Sequence, residues 1–174
     1  MSFSIYDASA PVFVRAFTVM QAWLDKALAE GKSEKDLMEA KLAPDMYPLS
    51  RQIQIASDNA KGTIARLTGV IAPSMPDTEA SFAELKQRCQ KTIDFIQSVD
   101  RSAYDGADTR QCVVRFPNGM GYRFAGKDYL TGFVLPNFFF HVTTTYALLR
   151  AAGVNLGKSD FLAHLGQPEQ LDAA

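Results

Sequence analysis

Between Leu49 and Gly69 the apolar side chains stand at Ile53, Ala56, Ala60, Ile64 and Leu67, every step three or four residues. That is the repeat of one helix face, so the spacing predicts a helix that buries a single stripe and stops at Gly69 as its C-cap. One stripe is stable only against others, and the chain supplies three more. Val12, Ala16, Val19, Trp23 and Ala27 mark a helix over 11–30, with Ser9 as N-cap, Pro11 in its first turn and Gly31 as its stop. Phe82, Leu85, Cys89, Ile93 and Ile96 mark a third long helix, expected to be capped by Asp77 or Thr78. The fourth covers 130–152 and ends at Gly153, and Pro136 either kinks it or marks its true start. Shorter helices are expected from Ser33, whose Ser-x-x-Asp spacing resembles a capping box, and around 158–165.

Four long amphipathic segments imply an all-α fold, a four-helix bundle. The segment 70–77 carries Pro73 and Pro76 and cannot be helical throughout, which makes it the crossover between the second and third long helices. So long a connection argues against simple up-down-up-down wiring. The helical period is lost after the third helix. Gln111 to Phe116 and Gly121 to Phe124 read as strands around Pro117-Asn118-Gly119-Met120, so a small β-hairpin is expected near residues 111–124, packed on the helical body.

The 174 residues have the length of one ordinary domain, spanning 1–174. With 18 basic and 19 acidic residues the formal charge is -1, which offers no electrostatic footprint for nucleic acid or an anionic membrane surface. Cys89 and Cys112 stand alone without a CxxC, and read as buried reduced thiols. The amino-terminal residues lack the basic start and apolar run of a signal peptide. The most apolar stretch, 133–140, is too short to span a bilayer. A cytoplasmic protein is expected.

No catalytic motif is complete: there is no phosphate-binding glycine loop and no Gly-x-Ser-x-Gly elbow. The two histidines are His141, inside the fourth helix, and His164 near the end. Asn137 lies four residues before His141 and shares its helix face, with Tyr146 near that face but rotated. From the second long helix, Gln54 and Asp58 are candidates to meet them. Each residue also has a purely structural reading. His141 amid aromatics can be a hydrogen-bonded core residue, Asn137 can serve the backbone groups freed by Pro136, and Gln54 and Asp58 can face solvent. Thr143 to Thr145 are expected to bond back to their own helix. Phe138, Phe139 and Phe140 cover most of a helix circumference, so part of that helix is either buried all round or a subunit interface.

The run from Gly132 to Ala163, with Asp45 to Gly69 upstream, resembles a bacterial family of unknown function grouped in the DinB/YfiT superfamily. The carriers of the resemblance are the Pro-Asn-Phe-x-Phe-His run at 136–141 and the Gly-Lys-x-Asp-Phe end at 157–161. It implies a four-helix bundle with a long crossover between helices two and three, often dimeric. Better-known members hold nickel or zinc on three histidines, two from an H-x-x-x-H pair on a late helix and one from the second helix. Some are thiol transferases. Carried over, His141 matches the later histidine of the pair, Asn137 occupies the earlier position, and the second-helix ligand falls near Gln54. At most one of three histidines is kept, so the resemblance implies a pocket that persists while the strong metal site does not.

The leading expectation is therefore a DinB-like protein with a degenerate central polar pocket lined by Gln54, Asp58, Asn137, His141 and Tyr146. It would take a small molecule, or a divalent metal (nickel or zinc) weakly on His141. One alternative is a metal-dependent hydrolase or thiol transferase using His141 with a carboxylate such as Asp58. The other is a homodimeric interaction protein built on the aromatic excess around Phe138 to Phe140.

Overall fold

The structure is a computed structural model in which residues 3–171 are described; the expected span of 1–174 extends past them at both ends. Each long stripe becomes a helix: α1 (Ala10–Ala29), α3 (Leu49–Thr68), α4 (Phe82–Ser98) and α6 (Leu135–Ala151). A short α2 (Glu34–Met38) starts at Ser33, whose hydroxyl accepts the Asp36 amide. Gly69 closes α3 in the left-handed conformation, φ 83°, where a β-carbon is disfavoured. Ser9 does flank α1, but its hydroxyl donates back to the Ile5 carbonyl at 2.6 Å and caps nothing.

Around the bundle the order is α1, α4, α3, α6, each packed on its two neighbours. Phe13 meets Phe138 and Trp23 meets Tyr146, so α1 and α6 run parallel. Gln52 meets His141 while Thr63 meets Tyr129, so α3 is antiparallel to the chain leading through α6. Lys86 of α4 meets Asp25, and Ile96 lies by Ala10, so α4 is antiparallel to α1. Hence α3 and α4 are parallel neighbours, and the wiring is up-down-down-up. Parallel neighbours need a return path along the whole of α3, about 30 Å for its 20 residues. That path is the irregular crossover, 69–81, as the two prolines require.

Two local expectations are corrected. The N-cap of α4 is Ser81, not Asp77 or Thr78: its hydroxyl accepts the Glu84 amide at 3.2 Å, and Glu84 in turn accepts the Ala80 amide at 2.6 Å. Asp77 is instead drawn into ion pairs with Arg51 and Arg88. The expected helix over 130–152 is two pieces, a π-helical stretch (Tyr129–Val134) and then α6, and one further turn, α5 (Gly126–Asp128), precedes them. Pro136 sits in the first turn of α6, where its missing N–H costs nothing, and the wider π turn precedes it.

β1 (Gln111–Arg115) and β2 (Gly121–Ala125) pair antiparallel, Gln111 opposite Ala125. Pro117 and Asn118 form the turn, closed by the Gly119 amide on the Phe116 carbonyl at 3.0 Å, with Gly119 at φ 82°. Cys112 and Val114 bury one face of β1, and Arg66 of α3 donates to the Val113 carbonyl at 3.1 Å. At Gly126 a β-carbon would stand 1.8 Å from the Ala107 carbonyl oxygen, so only glycine lets the hairpin rejoin the helices here.

Candidate functional site

His141 is 7% exposed on the α6 face that meets α3. Its Nδ1 lies 2.7 Å from Oε1 of Gln52, while Nε2 of Gln52 donates to the Tyr47 carbonyl at 2.9 Å. The carbonyl of Tyr47 can only accept, so the Gln52 amide must present its NH2 there and its oxygen to the imidazole. The imidazole Nδ1 therefore carries the proton and Nε2 keeps its lone pair. Burial, and then the charge of Arg51, hold the His141 pKa below its ordinary value, so the ring is neutral at pH 7. Nε2 makes no hydrogen bond among the described residues, yet it is not sealed from solvent. Phe140 meets the ring edge-on at 5.2 Å between centroids. The Thr145 hydroxyl bonds the His141 carbonyl at 2.9 Å and that of Thr144 bonds Phe140 at 2.7 Å, the back-bonding expected of them.

The five expected pocket residues do not meet. Gln54 and Gln52 project from α3 about 200° apart, and it is Gln52, on the flank towards α6, that reaches His141. Gln54, expected to meet His141, does not reach it. Gln54 instead donates to Glu79 at 2.9 Å and accepts from Arg51 at 3.2 Å. Asp58 is bound by Arg88 at 2.8 Å and Lys61 at 2.9 Å. Tyr146 packs between Trp23 and Phe161, ring centroids 5.6 and 5.8 Å away, in the α1–α6 seam. Asn137 is half-buried, one turn before His141, without a side-chain hydrogen bond among the described residues. The five split up: Asn137 and His141 stay one turn apart on α6, Gln54 and Asp58 one turn apart on the other flank of α3, and Tyr146 alone in the α1–α6 seam.

The carboxylate that a metal-assisted reaction at His141 needs is thus committed elsewhere. Among the described residues no three His, Cys, Asp or Glu side chains gather where they could hold a metal ion. The donors at His141 are one imidazole and amide groups, a set that does not fit a resident nickel or zinc ion wanting three or more strong ligands.

A second polar centre, which the sequence reading missed, lies on the other flank of α3. The Arg88 side chain is 1% exposed and touches three carboxylates: Asp58 at 2.8 Å, Glu79 at 2.9 Å and Asp77 at 3.0 Å. Burial works against its charge, but the Glu79 hydrogen bond and the three acidic neighbours outweigh it and raise its pKa. The one available signal was its place three residues after Leu85 and four before Thr92, on the inward flank of the α4 stripe.

This architecture (four helices with a crossover between parallel neighbours, and a hairpin before the last helix) is that of a DinB-like bundle. A crystal structure of a DinB family member protein from Shewanella denitrificans matches with a TM-score of 0.85 at 32% identity, over 97% of this chain and 96% of that one. Residues 5–162 match the family described as "Domain of unknown function (DUF1993)", and the chain belongs to it. No curated protein matches the chain. No helix among the described residues is long and apolar enough to cross a membrane.

Proposed function

We propose that this DinB-like protein is a small-molecule binding protein whose recognition point is His141, the residue that the family resemblance matches to a metal-binding histidine of better-known members. The observation that carries this reading is the relay from Tyr47 through Gln52 to His141. A buried imidazole held by one nitrogen, with the other unpartnered, is set up to accept a hydrogen bond from an N–H or O–H of a ligand. With one imidazole and no carboxylate beside it, the site would hold nickel or zinc only weakly. The donor set likewise gives no support to a hydrolase or thiol-transferase reaction.

The test is a ligand-observed NMR screen of small amides, phenols and alcohols against the wild type and His141→Ala, beside elemental analysis of both. Hits lost in the variant, with no stoichiometric metal in the wild type, support the reading. About one equivalent of nickel or zinc in the wild type, lost in the variant, would replace it with a metalloprotein.

A homodimer is a second reading, favoured by the outward aromatics of α6. Phe139 is 36% and Phe140 55% exposed, and Tyr122 on the hairpin is 54% exposed. Surfaces rich in exposed aromatics mark interfaces. Light scattering at high concentration is the check; a dimer that becomes a monomer on Phe140→Asp supports this reading, and a monomeric wild type removes it.

A further inference from the structure

We infer that the crossover is an intramolecular occupant of an oxyanion site on α3 and α4, and that this site takes a short dicarboxylate when the crossover lifts away. The site is on the opposite flank of α3 from His141 and does not depend on the reading above.

Two carboxylates of the crossover each bridge two donors on the helices. Asp77 places one oxygen on Arg51 and the other on Arg88, the latter at 3.0 Å. Glu79 places one oxygen on Arg88 at 2.9 Å and the other on the Gln54 amide at 2.9 Å. Both carboxylates share the same Arg88 nitrogen, so they lie side by side, in the arrangement a short dianion would offer. Each carboxylate is held by charge-assisted contacts, its two oxygens on donors from two different residues. Three cations, Arg51, Arg88 and Lys61, face three anions here, and only Asp58 among the anions belongs to a helix. Without Asp77 and Glu79 the helices keep Arg51, Lys61, Arg88 and Lys91 against Asp58, Glu84 and Asp94, a surplus of one positive charge.

The crossover is held for release. Residues 70–80 make no backbone–backbone hydrogen bond among the described residues, so the segment stays in place through side chains. Beneath it the Ser57 and Thr92 hydroxyls, both fully buried, meet at 2.8 Å, and the Met75 sulfur covers them at 3.8 Å from each. Arg88 Nε, buried, has no hydrogen-bond partner among the described residues, a donor left over after Asp58, Asp77, Glu79 and the Pro76 carbonyl are served. A cleft of about 530 Å3 between the crossover and α4, lined by Met75, Glu79, Arg88 and Lys91 and also by the acidic Glu84 and Asp94, opens onto Arg88. A tethered occupant competes at high effective concentration, so the intact protein binds such a ligand weakly.

The experiment is calorimetric titration with malonate and with succinate at fixed ionic strength, on the wild type and on Asp77→Asn/Glu79→Gln. We expect the double variant to bind one of the two at least tenfold more tightly than the wild type, and Arg51→Gln in that background to remove the gain. Circular dichroism confirms the fold first; if the double variant is unfolded, Glu79→Gln alone is titrated, with the same direction expected. No gain in affinity, or a gain that survives Arg51→Gln, overturns the proposal.

Discussion

His141 gives its Nδ1 proton to Gln52 across 2.7 Å, and through that bond the last long helix is tied to the first turn of α3. Gln52 is 1% exposed and has no solvent to fall back on. Its other contact, the Tyr47 carbonyl, belongs to the loop that leads into the same helix. The pair thus sets the imidazole tautomer and pins the start of α3 together.

Gln52→Ala should therefore cost far more than Gln54→Ala, although the two residues are near neighbours in sequence. Removing Gln52 strands a buried imidazole N–H and a carbonyl, at about 1–3 kcal/mol. Removing Gln54 breaks its hydrogen bonds to Glu79 and Arg51 but strands neither, because Glu79 keeps Arg88 and Arg51 keeps Asp77, so its cost should stay at about 1 kcal/mol. Urea unfolding of the two variants checks the order.

Protonation of His141 should weaken the fold in mild acid. In the unfolded chain the ring takes up its proton near its ordinary value of about 6.5; in the fold, burial and Arg51 push the pKa lower. The unfolded state then binds more protons in between, so this contribution to stability is present above the ordinary value and lost as the pH falls through the folded one. Wild type should lose more stability than His141→Gln between about pH 7.5 and pH 5.5, a difference that unfolding curves at the two pH values read directly.

Phe138 is fully buried and meets Phe13 at 4.7 Å and Phe17 at 5.6 Å, both edge-on, at the junction of α1 and α6. Phe138→Ala should cost about 3–5 kcal/mol, the loss of a large core aromatic with the cavity it leaves. Phe140→Ala, one half-turn away and largely exposed, should cost well under about 1 kcal/mol in the monomer. Thermal denaturation distinguishes them.

Both cysteines should resist alkylation in the native protein. Cys89 is fully buried, and desolvation pushes its thiol up to about 12, far from the thiolate that reacts. Cys112 is raised for the same reason and is 1% exposed. Iodoacetamide should modify both only after denaturant is added; rapid native labelling of Cys89 would contradict the packing of α4.

Much of the fold was legible because helix stripes are local. Ile53, Ala56 and Ala60 repeat at the helix period whatever packs on them, and Pro73 and Pro76 forbid helix by their own chemistry. The family resemblance carried by 136–141 and 157–161 was legible for the same reason and is confirmed by the family match. The errors came where partners are distant in sequence. Asp77 is a good cap by type, but Arg51 and Arg88 hold it away from α4. Gln52 and Gln54 flank the buried Ile53 on either side, so the stripe alone cannot decide which meets α6. That depends on the order of helices around the bundle. Tyr146 likewise turned to Trp23 because α1, not α3, lies on its side of α6.

The most direct test of the central claim is the ring-nitrogen NMR spectrum of 15N-histidine-labelled protein at neutral pH, assigned with His141→Gln, before and after one equivalent of zinc. The relay through Gln52 predicts a neutral His141 protonated at Nδ1 and bare at Nε2, with little change on adding the metal. A ring protonated at Nε2, or an Nε2 resonance moved fully by one equivalent of zinc, would contradict it.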